Sequence, residues 1–217
     1  MSTTTAGRST LGISGTKIFT ARRLLELGGF IAGAVLIIFG AVSIFMGFDG
    51  RSTVRDSLAA EKIVGGDDMS PALITKAVQE AGIAGVPGLV IPSKDVTGKE
   101  IKTGADARVF AQYMRIHALE ASGGLTYAEM GRFATKDGNP AGTNDPAQAV
   151  ADENGQPVAN GARNTWVTET ALTTALNMSF MAEQLALFGT VVGVALLLSG
   201  IGFIVLAWAA LHRRTTA

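Results

Sequence analysis

Two uninterrupted apolar runs, Leu27 to Gly47 and Leu185 to Leu211, bracket the polar stretch 48–184 and limit the chain to very few architectures. A helix rises about 1.5 Å per residue, so even the shorter run reaches about 31 Å, the thickness of a hydrocarbon core. Neither run holds an ionisable residue, and such a residue at membrane depth is the usual mark of an ion or proton path. Both runs are therefore expected to be transmembrane helices of a protein that is neither channel nor transporter on its own. Ala41-Val42-Ser43 weakly imitates a signal-peptide cleavage site, but the apolar run continues through Ile44, Phe45, Met46 and Phe48, longer than a signal core of roughly 7 to 15 residues. An intact first helix is the expectation.

Basic residues set the orientation. Arg8, Lys17, Arg22 and Arg23 precede the first run against a single acid, Glu26, while His212, Arg213 and Arg214 follow the second. Short flanks rich in Lys and Arg stay on the cytoplasmic side, so both termini are expected there, with Arg22, Arg23, Arg213 and Arg214 as the determinants of topology. The segment 48–184 carries 12 Lys and Arg against 17 Asp and Glu, a balance of −5 inside a chain whose formal net charge is zero. It is expected to face outward across a plasma membrane. Nothing in it has the clustered basic charge that a nucleic acid demands.

Local signals then divide the chain. Residues 1–16, rich in Ser, Thr and Gly, are expected to be a disordered cytoplasmic tail, with 17–47 as the first membrane helix and its basic flank. A helix from about 51 to 63 follows, and Phe48-Asp49-Gly50 either breaks or merely punctuates its junction with the span. Ser70 and Pro71 have the order of an N-cap and first helical residue, and that helix should stop at Gly82. Gly85, Pro87, Gly88 and Pro92 predict extended chain or a minor hairpin up to Gly104. Thr103 and Asp106 have capping-box spacing and predict a helix over 104–121, with Arg108, Gln112 and Arg115 on its polar side and Phe110, Tyr113, Met114 and His117 on the other. Thr126 and Glu129 repeat that spacing and predict a short helix to about Ala134. Residues 136–161 hold Asn, Asp, Gly and Pro throughout and are expected to be a mobile loop. A helix from about 163 should then enter the second span, 185–211, unbroken, leaving 212–217 as a cytoplasmic tail. The fold class is thus an all-α membrane protein: two transmembrane helices with helical extensions and a small, mostly helical extracytoplasmic domain.

Glycine spacing is the clearest signal inside the spans. Gly29 and Gly33 form one GxxxG, with Gly40 and Gly47 following at sevens, and Gly189 and Gly193 form another, followed by Gly200. Small residues on one face let helix backbones approach closely where lipid removes the hydrophobic drive, so these glycines are expected to pack the two helices of one chain together. Glu26 and Glu183 fall at membrane borders and read as interfacial polar residues.

Catalytic chemistry finds little support. The chain has two histidines, His117 and His212, on opposite sides of the expected membrane, so no single site uses both as metal ligands. There is no cysteine, hence neither thiolate metal site nor thiol redox chemistry. His117 reads as a core residue with one hydrogen bond. The acids Asp67, Asp68, Asp137, Asp145 and Asp152 miss the EF-hand spacing, and no GxSxG or SxxK pattern is present. Trp166 to Thr174 has an apolar stripe backed by Thr168, Thr170, Thr173 and Thr174, suited to a partner or to packing against the 104–121 helix, with packing expected.

Three strings carry a likeness: Thr53-Val54-Arg55-Asp56-Ser57-Leu58 with Glu61-Lys62-Ile63, Gly124-Leu125-Thr126-Tyr127-Ala128-Glu129-Met130, and Trp166-Val167-Thr168-Glu169-Thr170-Ala171-Leu172. Together the chain resembles uncharacterised actinobacterial membrane proteins with two transmembrane helices and an extracytoplasmic helical domain. Some similar chains are described as ring-opening dioxygenases, and the histidine placement argues against that chemistry here. The expectation is a non-enzymatic structural or accessory membrane protein with no cofactor. Its partners are membrane lipid and either an envelope or membrane protein or a second copy of itself. An extracytoplasmic ligand-binding or sensing module is the alternative, and an enzyme comes third.

Overall fold

The structure, a computed structural model, describes the backbone of residues 15–212 and the side chains of 23–209. Arg213 and Arg214, the side chain of Arg22 and most of the expected N-terminal tail lie outside the described residues, although Gly15 and Thr16 already belong to a helix. Four α-helices follow in order: α1, Gly15–Ala60; α2, Pro71–Glu80; α3, Gly104–Ala121; and α4, Gly161–His212. Among the described residues there is no β-strand, only isolated bridges such as Val64 with Glu100 and Phe133 with Thr143. α1 and α4 are both long and apolar enough to cross a membrane. By contact the chain forms two units, one from residues up to Met46 and from Phe188 onward, the other Gly47–Leu187.

In the first unit the buried positions recur at sevens: Glu26, Gly33 and Gly40 on α1, and Gly193, Gly200 and Ala207 on α4. A strict seven-residue repeat is that of a left-handed supercoil, in which the seam keeps facing its partner. The remaining faces present large apolar side chains outward, including Ile38, Phe39, Phe45, Phe188 and Leu206.

The second unit has its own apolar core. Ile74 and Val78 of α2 and Phe110, Tyr113 and Ile116 of α3 gather with Leu58, Ile83, Val96, Ile101 and Leu176, while Trp166 and Leu172 pack at its edge. The helix ends follow from local chemistry. Ser70 Oγ accepts from Leu73 N at the start of α2, and Pro71 occupies the position where a missing N–H costs nothing. At the other end Gly82 takes φ +66°, which lets Ile83 N reach Val78 O and Gly82 N reach Gln79 O. α3 closes in the same way, through Gly123 and Gly124 onto Glu120 O and Leu119 O.

Four expectations are revised. α1 runs without a break through Phe48-Asp49-Gly50 and stops at Ala60 rather than 63, with Lys62 in the left-handed region at φ +52°. α4 begins at Gly161, two residues before the expected start, because buried Asn160 caps it: Asn160 Oδ1 accepts from Ala162 N, and its Nδ2 donates to Gly131 O and Pro140 O. The stretch after Thr126 is a run of turns and not a short helix. Its cap forms, since Glu129 Oε2 accepts from Thr126 N and Oγ1, but Gly131 then joins Ala141 O and Phe133 pairs with Thr143, so too few residues remain to propagate a helix. Finally, 136–161, expected to be a mobile loop, takes a hydrogen-bonded path. Asp137, Asn139, Asp145 and Asp152 each accept from a backbone N–H two residues on, while Ala134 N donates to Val158 O, Val158 N to Val150 O and Val150 N to Ala134 O.

Candidate functional site

The expected helix-packing glycines distribute unequally within the first unit. A Cβ at Gly40 would lie 2.7 Å from Gly193 O, one at Gly193 2.7 Å from Gly40 O, one at Gly33 2.7 Å from Gly200 O, and one at Gly200 2.6 Å from Gly33 O. These four positions are in backbone contact. Gly29 instead faces the Ala207 methyl at 3.1 Å, and Gly189 has only Ser43 O within reach at 3.9 Å, while its own carbonyl accepts from Ser43 Oγ at 3.0 Å. Spacing by seven rather than by four marks the contact. Glu26, expected at a membrane border, is buried one heptad before Gly33. Arg23 is exposed.

In the second unit three buried acids organise α3 and α4. Asp106 stands in the first turn of α3, where the helix dipole favours an anion, and its carboxylate accepts from Lys94 Nζ at 2.5 Å, Lys99 Nζ at 2.7 Å and Thr103 Oγ1 at 2.8 Å. Thr103 Oγ1 in turn accepts from Asp106 N. The capping spacing read from sequence thus forms one half of the box, and the two lysines take up the rest of the carboxylate. Burial alone would raise this carboxyl, but the hydrogen bonds from Lys94, Lys99 and Thr103 outweigh it and hold the group at about 2. The segment preceding α3 is fixed by the same groups, since Tyr113, fully buried, donates its hydroxyl to Lys94 O.

Glu183 of α4 is buried and accepts from Gly104 N at 2.8 Å, so it caps α3 from another helix, with Arg51 and Arg55 of α1 each 3.7 Å away. Gly104 has no room for a side chain there, because a Cβ would sit 2.7 Å from Phe180 Cα. Glu169, also buried, meets Arg115 Nη1 at 3.1 Å, and its second oxygen, Oε1, has no hydrogen-bond partner. Burial raises the Glu169 carboxyl, and Arg115 offsets that only in part. His117 is only half-buried on α3, rather than the core residue expected, with Nε2 3.0 Å from Asp68 Oδ2.

The polar side of α3 lines a groove. Arg108, Gln112 and Arg115 meet Thr173 and Asn177 of α4 around a hollow of about 200 Å³. It shares Gly88 and Arg115 with a second hollow of about 240 Å³, whose walls are Val86, Pro87, Leu89, Leu119 and Trp166. Arg115 lies over the Trp166 ring at 4.6 Å and Arg108 over Phe180 at 4.7 Å, within the range where a cation gains from the ring face. Trp166 and Leu172 pack on the core, as the apolar stripe of that segment suggested, while Thr173 turns inward to the groove and is itself buried. Sequence reasoning placed Arg108, Gln112 and Arg115 on one face but missed the groove, because its other wall comes from residues 86–90 and 166–177. It also missed Glu169 and Asn160, whose partners are remote in sequence. Among the described residues no group of three or more His, Asp or Glu stands where it could hold a metal ion.

Compared with known protein families, with curated proteins and with solved structures, the chain matches none.

Proposed function

We propose that this is a two-span integral membrane protein, both termini cytoplasmic and residues 48–184 extracytoplasmic, which acts as a structural or accessory component and not as an enzyme. The membrane reading is supported by α1 and α4, whose outward Leu, Ile and Phe side chains suit lipid better than water. Their polar backbone groups are satisfied within the helices, and Gly33, Gly40, Gly193 and Gly200 supply the close approach that holds helices together in lipid. The basic flanks at Arg22, Arg23, Arg213 and Arg214 support the orientation.

The accessory role rests on one observation above the others. Each buried acid of the second unit has a partner within the fold: Asp106 meets Lys94 and Lys99, Glu183 caps α3, and Glu169 meets Arg115 through one of its two oxygens. A general acid or base needs a group in reach of a substrate proton, and these three serve their own neighbours. What remains for function is surface, offered to an envelope or membrane protein or to a second copy of the chain.

The test is affinity purification of the tagged full-length protein in mild detergent, with identification of what co-elutes. The expected result is a reproducible membrane or envelope protein in fixed ratio, or a defined oligomer. Elution as a lone monomer, in every detergent that keeps the protein folded, would contradict the accessory role.

A further inference from the structure

We propose that the groove between α3, α4 and residues 86–90 binds a small organic carboxylate with an apolar body, a ligand role that goes beyond the accessory function. The groove has two chemically distinct ends. At one, Arg108, Gln112 and Asn177 bring a guanidinium and two side-chain amides to a single hollow, with Thr173 beside them. Arg108 forms no ion pair among the described residues, and its contact with the Phe180 ring holds the planar group in place without neutralising it. Arg115, by contrast, already has Glu169. One uncompensated guanidinium with neighbouring amides matches a singly charged carboxylate, which takes two parallel N–H bonds from the arginine fork and has lone pairs left for amide donors. A phosphate dianion would bring more charge than this end can offset.

The other end is of mixed character, with the apolar side chains of Val86, Leu89, Leu119 and Trp166 beside Thr126 and Arg115 around the adjoining hollow. The two hollows adjoin, both being lined by Gly88 and Arg115, and their volumes of about 200 and 240 Å³ taken together fall in the range of roughly 300–1,000 Å³ over which small-molecule sites occur. Pockets of that kind pair an apolar lining with a few polar groups that orient the ligand, and here the orienting group is Arg108.

The probe is 4-phenylbutyrate, with 4-phenylbutyramide as the uncharged compound of the same shape. Full-length protein in a nonionic detergent carries Trp208→Phe, so that the remaining one of the chain's two tryptophans, Trp166, reports binding by fluorescence. The acid is expected to give a saturable change, and the amide to bind at least about tenfold more weakly, the scale of losing one charge-assisted pair. Arg108→Gln is expected to reduce the affinity for the acid by a similar factor while the protein stays folded, its thermal unfolding midpoint lowered only by the loss of the exposed contact with Phe180. Inorganic phosphate in tenfold excess should not displace the acid. The proposal is overturned if acid and amide bind alike to the parent protein, if Arg108→Gln binds the acid as the parent does, if phosphate displaces it, or if no saturable change appears by about 10 mM, the upper end of weak specific affinity.

Discussion

Asp106 joins three layers of the account in one side chain. Its position at the start of α3 is set by Thr103, its charge is kept by Lys94 and Lys99, and through them it fixes the backbone that leads into the helix. Because its folded value of about 2 lies below the ordinary 3.8, the folded state holds the proton less tightly than the unfolded chain. The stabilisation is therefore complete above about pH 4 and is lost as the pH falls through about 2; a difference of nearly two units corresponds to about 2 kcal/mol. Glu169 runs in the opposite sense, since burial raises its carboxyl and its contribution improves as it becomes protonated. Asp106→Asn is expected to lower stability at neutral pH by about 2 kcal/mol and to flatten the acid dependence between pH 5 and 2. Thermal unfolding of parent and variant across that range measures both, and parallel pH curves would show that Asp106 is not the group responsible.

At the scale of elements, the seam between α1 and α4 depends on the absence of side chains at particular turns. Gly40→Ala or Gly193→Ala places a methyl 2.7 Å from a backbone oxygen of the other helix, which cannot move aside as a side chain would. Each is expected to destabilise the pair by about 1–3 kcal/mol, the usual cost of overpacking. Gly28 and Gly202 have nothing within 4 Å of such a methyl, so Gly28→Ala and Gly202→Ala should be neutral or stabilise by about 0.5–1 kcal/mol through reduced backbone freedom. Thermal unfolding in detergent compares the four variants, and equal effects would refute the seam. The same comparison shows what the sequence could convey. The caps at Ser70 and Thr103 and the stops at Gly82 and Gly123 are local, so the residues that form them stand within a turn of each other and are legible. The cap at Thr126 was equally legible, yet the helix it announces is replaced by pairing of Phe133 with Thr143 and Ala159, a competition that no local pattern reports. Glu183 reaches Gly104 across 79 residues and Asn160 reaches Gly131 across 29, and such partners are fixed only by the tertiary fold. The groove was half visible for that reason: one polar helix face was readable, and the wall opposite it was not.

For the whole molecule, the proposal turns on a division of charge. The chain is neutral in sum, but residues 48–184 carry a balance of −5, while the flanks of the apolar runs are basic. Charge of that distribution is what retention of basic flanks on one side of a membrane produces, and under the proposal each segment has a definite side. A chain without cysteine makes that assignment directly measurable, because each introduced thiol is the only one present. Asn154, exposed and beyond the core of the second unit, supplies an external position, and Ser2 and Thr216 supply the two tails. Labelling of Asn154→Cys, Ser2→Cys and Thr216→Cys in intact cells with a membrane-impermeant maleimide is the most direct test of the two-span reading. In a two-span protein Asn154→Cys reacts at once, while Ser2→Cys and Thr216→Cys react only after the membrane is permeabilised. Labelling of either terminal cysteine in intact cells, or protection of Asn154→Cys, would contradict the two-span reading.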